Sequence, residues 1–221
     1  MRTGGWVLSL CMALAAPMAV AETNQSADPT ATQEIALDPG LGPLELTQQA
    51  AEKVTQKIRA NRSLYEQDSA ALYAMVDDLV DSVFDFRTMS LLVLGPNWKS
   101  ASEEQRERFM LAFKNLLIRT YSKALLQAGD AAIEWEPLEL EPGEKRTMVR
   151  AAVPTSSGPV KIAWRLRKLS EGWRVFDVVV DGISLVTNYR GSYSAEIRKS
   201  GLDALIEKME QQNPDANGVS A

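Results

Sequence analysis

Apolar residues recur with a helical period in the first half of the chain. Between Leu44 and Ala60 they return every fourth position, and a second run of the same kind starts near Ser69, behind Asp68. This spacing puts apolar side chains on one helix face, and Asp or Ser before such a run is a typical N-cap. We therefore predict two amphipathic helices, followed by a short apolar helix that ends at Gly95.

The longest predicted helix starts at the pattern Ser-x-x-Glu formed by Ser100 and Glu103. This pattern is typical of a capping box, and apolar residues follow it at intervals of three and four until Gly129, the expected terminator. At about 1.5 Å per residue, such a helix is roughly 40 Å long. Its apolar face contains Phe109, Phe113, Leu116, Leu117, Tyr121, Ala124 and Leu125.

The period changes to two in the second half of the chain. Four runs of alternating apolar and polar residues, separated by turns with Gly or Pro, lie at 133–136, 147–153, 160–167 and 173–180. Short strands joined by short turns indicate an antiparallel meander.

Two more helical patterns follow the meander, at 184–199 and 202–212. A sheet with one solvated face needs helices against its other face. We therefore predict an α+β fold in which a helical layer covers one face of a four-stranded antiparallel sheet.

The first 21 residues have the features of a secretory signal peptide. Arg2 precedes an apolar run at 6–16, Pro17 breaks it, and Ala19-Val20-Ala21 has the small-x-small pattern of a cleavage site. The run is too short for a helix that spans a bilayer, which needs about 20 residues. We therefore predict a periplasmic protein with the following organisation: signal peptide 1–21, flexible leader 22–43, a single domain 44–212 and a disordered tail 213–221.

Composition excludes several kinds of site. The chain has no histidine, and its one cysteine, Cys11, lies in the predicted signal peptide. Cys–His nucleophiles, Ser-His-Asp triads and the usual zinc sites are therefore excluded from the mature chain. Loss of Arg2 with the signal changes the net charge from −5 to −6. A net negative charge argues against a nucleic-acid partner.

Carboxylates are the remaining candidates for chemistry. Asp77, Asp81 and Asp85 recur every four residues and so share one helix face. They could act as a general acid and base, hold a hard cation, or form a solvated surface. For Asp177 we expect a hydrogen-bonding role at the end of the sheet.

An ordered set of segments over about residues 45–210 resembles one protein family. The segments are Phe84-Asp85-Phe86-x-x-Met89, Leu94-Gly95-x-x-Trp98, Gln105-x-x-x-Phe109, Leu116-Leu117-x-x-Thr120-Tyr121, Gly172-Trp173-x-Val175-x-Asp177, Gly182-x-Ser184-Leu185, Asn188-Tyr189-Arg190 and Gly201-Leu202. In order and spacing they resemble the MlaC family, also called the toluene-tolerance auxiliary family.

The resemblance implies a non-catalytic periplasmic carrier that shuttles phospholipid between the two membranes and maintains outer-membrane lipid asymmetry. It implies two partners: an inner-membrane ATP-driven transporter (ABC) complex with an MCE-domain ring, and an outer-membrane lipoprotein associated with a porin. The implied fold is MlaC-like, related to NTF2-like α+β scaffolds, with helices over one side of a curved antiparallel sheet and a lipid pocket between them. No cofactor or metal is expected, only phospholipid as cargo, and the chain is expected to be a monomer.

Acyl chains need an apolar lining, because each buried methylene contributes about 0.8 kcal/mol. The candidate lipid-binding residues come from both layers: Phe86, Met89, Leu92, Phe109, Phe113, Leu117 and Tyr121 from the helices, and Val149, Ile162, Trp164, Phe176, Val178 and Val180 from the sheet. The same residues could instead form a dry core.

Basic residues of the third and fourth runs are candidates for docking to an acidic partner or an anionic membrane surface. They are Lys161, Arg165 and Arg167, with Lys168 and Arg174 nearby. A simple solvated sheet face explains them equally well. Two other functions stay open: an enzyme that uses Asp177 and Tyr121 around an apolar cavity, and an adaptor whose apolar grooves bind a partner helix.

Overall fold

The computed structural model describes Asp38 and residues 40–129, 131–156 and 158–212 of the 221-residue chain. The predicted signal peptide and tail, and most of the predicted leader, lie outside these residues. Within the described part, five helices precede a sheet and two follow it. The elements are α1 (Pro43–Gln67), α2 (Ser69–Val83), α3 (Phe86–Leu94), α4 (Asn97–Ser100), α5 (Glu103–Ala128), β1 (Glu134–Trp135), β2 (Arg146–Val153), β3 (Val160–Leu169), β4 (Gly172–Val180), β5 (Ile183–Ser184), α6 (Leu185–Ser200) and α7 (Leu202–Gln211).

The α+β class with an antiparallel sheet is confirmed, but the number of strands is wrong. The described sheet has five strands in the order β1-β2-β3-β4-β5, not four. Asp181 and Gly182 both have positive φ, 47° and 84°, and they turn the chain back onto the end of β4. As a result Val179 pairs with Ser184 and Val180 pairs with Ile183. The sequence analysis missed β5 because a strand of only two residues is too short to show an alternation of apolar and polar positions.

Side-chain caps explain where α2 and α3 begin. The Asp68 carboxylate accepts hydrogen bonds from the N–H groups of Ala70 and Ala71 at 2.8 and 3.1 Å. Asp85 caps α3 in the same way, accepting from Thr88 N–H at 2.8 Å. These caps satisfy backbone donors that have no partner within the helix.

The capping box of α5 is formed by Ser102 and Gln105, so the predicted pair Ser100 and Glu103 is wrong. Ser100 instead ends the preceding short helix, and its hydroxyl donates to the Asn97 carbonyl at 3.1 Å. The box lies two residues later because α4 occupies the positions before it.

Two glycines allow close approaches between helices. Gly95 ends α3 with φ of 56°, and a Cβ there would lie 3.2 Å from the Arg190 guanidinium of α6. Gly129 follows α5 with φ of −58°, and its Cβ would lie 2.6 Å from Cγ2 of Ile58 in α1. The predicted terminator at Gly129 thus serves close packing against α1 rather than a left-handed cap.

One face of the sheet is apolar and lies against α1 and α2. We call the following buried residues the sheet cluster: Leu46, Ala50, Leu79, Val83, Val149, Leu166, Trp173 and Val175. The first four come from the two helices and the rest from β2, β3 and β4. This packing matches the expectation that helices bury the apolar face of the sheet.

The helices α3 to α7 enclose a second apolar group. We call it the helical cluster, and its buried members are Phe86, Met89, Val93, Leu94, Trp98, Phe109, Ala112, Phe113, Leu117, Val186, Leu205, Ile206 and Met209. A smaller group joins α1, α2 and α5 around Ile58, Leu72 and Ile118.

Candidate functional site

The helical cluster contains the candidate lipid-binding residues from the helices. Phe86, Met89, Phe109, Phe113 and Leu117 are buried in it, and Leu92 and Tyr121 pack against it half-buried. The rings of Phe109 and Phe113 stack with centroids 5.7 Å apart. The structure therefore brings all the predicted helical positions together in one closely packed group.

Two tyrosines of α6 complete this aromatic group, and the sequence analysis did not select them. Tyr189 meets the Phe113 ring edge-on at 5.3 Å, and Tyr193 meets Phe109 edge-on at 6.0 Å. Burial raises the pKa of Tyr189 to about 12, assisted by its Tyr121 neighbour, and burial also raises the pKa of Tyr193. Both phenols stay protonated at neutral pH. Their spacing of four on α6 was the available signal.

The candidate residues from the sheet are divided between environments. Val149 is fully buried in the sheet cluster, and Trp164 and Val178 pack against it. Trp164 stacks on Trp135, with ring centroids 5.3 Å apart. Ile162 and Val180 pair with each other across β3 and β4 and are half-buried.

Phe176 lies apart from the other candidates of β4 because of a bulge. Arg165 pairs with Asp177, and the next residue, Leu166, pairs with Val175, so Phe176 is an extra residue on β4. A bulge of this kind redirects a side chain. Phe176 packs against the helical cluster, whereas Val178 packs against the sheet cluster.

Phe84 lies at the seam between the two clusters. Its half-buried side chain packs against both of them, and its ring lies 5.8 Å from that of Phe86. Its backbone forms a parallel bridge with Val175 at the edge of β4, and Asp85 N–H donates to the Val175 carbonyl at 2.8 Å. The α2–α3 junction is thereby fixed to the sheet at this seam.

The buried carboxylate of Asp177 has structural partners. It accepts hydrogen bonds from Arg165 at 3.0 Å, from the Ser184 hydroxyl at 2.7 Å and from Val186 N–H at 3.1 Å. These bonds join β3, β5 and the first turn of α6 to β4. Tyr121, its proposed partner in an enzyme, interacts instead with Tyr189.

The three acidic residues at a spacing of four do not form one site. Asp77 and Asp81 of α2 both pair with Lys114 of α5, at 2.8 and 3.0 Å. Asp85 caps α3 and lies 3.5 Å from Arg167. Among the described residues no group of three or more His, Cys, Asp or Glu could hold a metal ion.

Two of the three predicted docking residues have intramolecular partners. Arg165 pairs with Asp177, while Arg167 pairs with Asp85 and donates to the Thr88 hydroxyl at 2.6 Å. The side chain of Lys161 is exposed. All three lie on the sheet face opposite the sheet cluster, because they alternate with Ile162, Trp164 and Leu166 along β3.

An open groove of about 450 Å³ lies on this cationic face. Its floor includes Met148 and Phe176, and its walls carry both guanidinium and carboxylate groups. The lining residues are Leu138, Glu139, Glu144, Arg146, Thr147, Met148, Arg150, Arg165 and Phe176. The sequence analysis missed Arg146 and Arg150, although their alternation with Thr147 and Val149 was the available signal.

No helix within the described part of the chain is long and apolar enough to cross a membrane. The candidate site has three parts: two apolar clusters, a seam between them at Phe84, and a cationic groove. Phe176 lines the groove and also packs against the helical cluster.

Comparison with known proteins places these features in a family. The model of the family described as MlaC protein matches residues 48–211. The intermembrane phospholipid transport system binding protein MlaC of Haemophilus influenzae is 34% identical over 175 residues, which cover 76% of this chain and 81% of that protein. The toluene tolerance protein ttg2D of Pseudomonas putida is 25% identical over 163 residues, 73% of this chain and 75% of that protein.

A solved structure shares the fold. It is the phospholipid-binding protein from Ralstonia solanacearum in complex with a phospholipid, with a TM-score of 0.73 and 24% sequence identity. The match covers 80% of this chain and 99% of that one. By the family model and the Haemophilus relative together, this chain belongs to the MlaC family.

Proposed function

We propose that this chain is a periplasmic phospholipid carrier that buries the acyl chains of its cargo between the helices and the sheet. It moves phospholipid between an outer-membrane lipoprotein–porin complex and an inner-membrane MCE-domain ABC transporter complex, and so maintains outer-membrane lipid asymmetry. The observation that carries the proposal is membership of a family whose Haemophilus relative is named as an intermembrane phospholipid transport binding protein.

The two apolar clusters support an acyl-chain site at the seam. An acyl chain of about 15 methylenes costs on the order of 12 kcal/mol to expose to water, at about 0.8 kcal/mol for each methylene. A carrier must therefore enclose the chains almost completely. Four half-buried residues supply apolar contacts: Phe84 packs against both clusters, Trp164 and Val178 against the sheet cluster, and Phe176 against the helical cluster.

The proposal assigns the chain no catalytic step. The carboxylate of Asp177 is engaged by three hydrogen bonds, and Asp77 and Asp81 are both paired with Lys114. The candidate lining residues then act only through packing and contact with lipid. We further propose that the carrier is a monomer and that cleavage after Ala21 releases it into the periplasm.

Lipid extraction tests the proposal. The mature chain, purified from a Gram-negative periplasm without detergent, should yield bound phospholipid by mass spectrometry after solvent extraction. The delipidated protein should take up diacyl phospholipid from vesicles and return it unchanged. A protein that contains no lipid and takes none from vesicles would contradict the proposal, and release of lyso-lipid would favour an enzyme.

Docking is tested separately on the cationic face. Lys161→Glu places a negative charge on an exposed side chain, whereas Arg165→Glu and Arg167→Glu also break the pairs with Asp177 and Asp85. We expect Lys161→Glu to slow association with the partner complexes at low salt. An unchanged rate for Lys161→Glu would remove this residue from the docking surface.

A further inference from the structure

The sheet face opposite the sheet cluster carries an unusual concentration of arginine. In register, Arg146 of β2 lies opposite Arg167 of β3, which lies opposite Arg174 of β4. Like charges directly opposite each other on a sheet are unfavourable. Pairing between the strands therefore does not favour three arginines in this row, and another interaction must account for them.

Intramolecular carboxylates neutralise only part of this charge. Asp177 pairs with Arg165 and Asp85 pairs with Arg167. Arg146 and Arg150, by contrast, are exposed, and no ion pair or hydrogen bond joins their side chains to another residue in the described part of the chain. Both belong to the lining of the groove.

The groove combines this charge with an apolar floor. Met148 lies between Arg146 and Arg150 on the same face of β2 and pairs with Arg165 of β3. Phe176, also in the floor, packs against the helical cluster on its other side. One aromatic ring therefore contacts both the groove and the helical cluster.

We propose that the groove binds the phosphate of the phospholipid cargo, with Arg146 and Arg150 as its cationic ligands. The inference rests on the proposed function and adds a headgroup subsite to it. Guanidinium groups bind phosphate oxygens through charge-assisted hydrogen bonds. The apolar floor accommodates the adjoining glycerol ester end of the lipid, and the acyl chains continue past Phe176. The carboxylates of Glu139 and Glu144 on the same walls disfavour a ligand with many negative charges, such as an acidic peptide.

The test uses soluble short-chain probes, the delipidated full mature chain and isothermal titration calorimetry. Dioctanoylphosphatidylglycerol carries the phosphate, dioctanoylglycerol lacks it, and glycerol 3-phosphate carries it without acyl chains. The variant is Arg146→Gln with Arg150→Gln. The control is Arg198→Gln with Lys199→Gln, which removes the same charge from the exposed end of α6.

We expect the groove variant to bind dioctanoylphosphatidylglycerol about tenfold more weakly than the parent, the loss expected for a charge-assisted hydrogen bond. Its affinity for dioctanoylglycerol should not change, and the control variant should bind both probes like the parent. If the groove variant bound both dioctanoyl probes equally more weakly than the parent, or bound both as tightly as the parent, the headgroup assignment would be overturned. Binding of glycerol 3-phosphate as tight as that of the phospholipid would overturn it too, in favour of a free-phosphate site. A parent chain that binds neither dioctanoyl probe would overturn the proposed function itself.

Discussion

The helical cluster and the sheet differ in how completely they are packed. The helical cluster has Phe109 and Phe113 without solvent exposure, surrounded by five helices and two tyrosine rings. The sheet has one face buried by α1 and α2, while the other carries arginines and an open groove. We infer that the helical cluster mainly supplies stability, and we propose that ligand contact is concentrated at the seam and in the groove, where apolar side chains are half-buried.

The largest expected effect is on the helical cluster. Phe113→Ala removes a fully buried ring that touches Phe109, Tyr189 and Tyr193. We expect it to lower the free energy of unfolding by about 3–5 kcal/mol, measured by urea denaturation. Leu111→Ala, at an exposed position on the same helix, should change stability by no more than about 0.5 kcal/mol. Similar losses for both variants would contradict the distinction between the two faces of α5.

The second effect is on the junction of the sheet and α6. Asp177→Ala leaves the buried Val186 N–H without its acceptor and Arg165 without its carboxylate. We expect a loss of about 3 kcal/mol in the free energy of unfolding. Ser184→Ala removes one of the three donors to Asp177 and also the cap that accepts from Thr187 N–H at 3.1 Å, and should cost about 1–2 kcal/mol. An Asp177→Ala protein as stable as its parent would show that these bonds do not hold the junction.

The third effect separates lipid binding from stability. Phe176→Ala truncates a half-buried ring, so we expect a loss of only about 1–2 kcal/mol in stability. Uptake of phospholipid from vesicles should nevertheless fall severalfold, because the ring contacts both the groove and the helical cluster. Leu111→Ala is the matched control, since it removes an exposed apolar side chain that belongs to neither apolar cluster and does not line the groove. Unaltered uptake by Phe176→Ala would remove Phe176 from the lipid site.

A smaller effect concerns the pairing of α2 with α5. Burial lowers the pKa of Lys114, but its hydrogen bonds to Asp77 and Asp81 outweigh burial and leave the pKa raised. Lys114→Met leaves two carboxylates close together without a cation, and we expect a loss of about 1 kcal/mol that shrinks at high salt. Lys123→Met, on the exposed side of α5, is the control and should be neutral. A salt-independent loss would point to packing rather than charge.

The smallest effect appears only in alkali. Burial raises the pKa of Tyr189 from 10.0 to about 12, so its neutral form is favoured in the folded chain. The stabilisation is complete below the unfolded pKa and is lost as the pH rises through about 12. Ultraviolet titration of tyrosinate should show a late-ionising group that disappears in Tyr189→Phe. Ionisation of every tyrosine near pH 10 would contradict the burial of this ring.

Hydrophobic periodicity predicted the helices other than α4, the main strands and the aromatic face of α5, because each of these elements has one buried face. It failed where the structure breaks a period. The fifth strand is too short to alternate, and only the Asp181-Gly182 turn signals it. The bulge that separates Phe176 from Val178 depends on the pairing of β3 with β4, which strand alternation alone does not contain.

The candidate site was predictable only in part for the same reason. The sequence selected thirteen apolar side chains, of which six are buried and seven half-buried, but it could not divide them between the two clusters. Arg165 pairs with Asp177 on the neighbouring strand, and Arg167 pairs with Asp85, which is distant along the chain. The sequence therefore could not show that Arg165 and Arg167 have carboxylate partners whereas Arg146 and Arg150 have none in the described part of the chain.

The most direct test of acyl-chain burial beside the sheet is quenching of tryptophan fluorescence by phospholipid with brominated acyl chains. The stacked Trp135 and Trp164 pack against the sheet cluster, and bromine quenches only at short range. The delipidated chain should lose fluorescence with brominated lipid and keep it with the unbrominated analogue, and Trp135→Phe with Trp164→Phe should reduce the quenched fraction. Equal fluorescence with the two lipids, at concentrations where binding is saturated, would contradict burial of the acyl chains at this site.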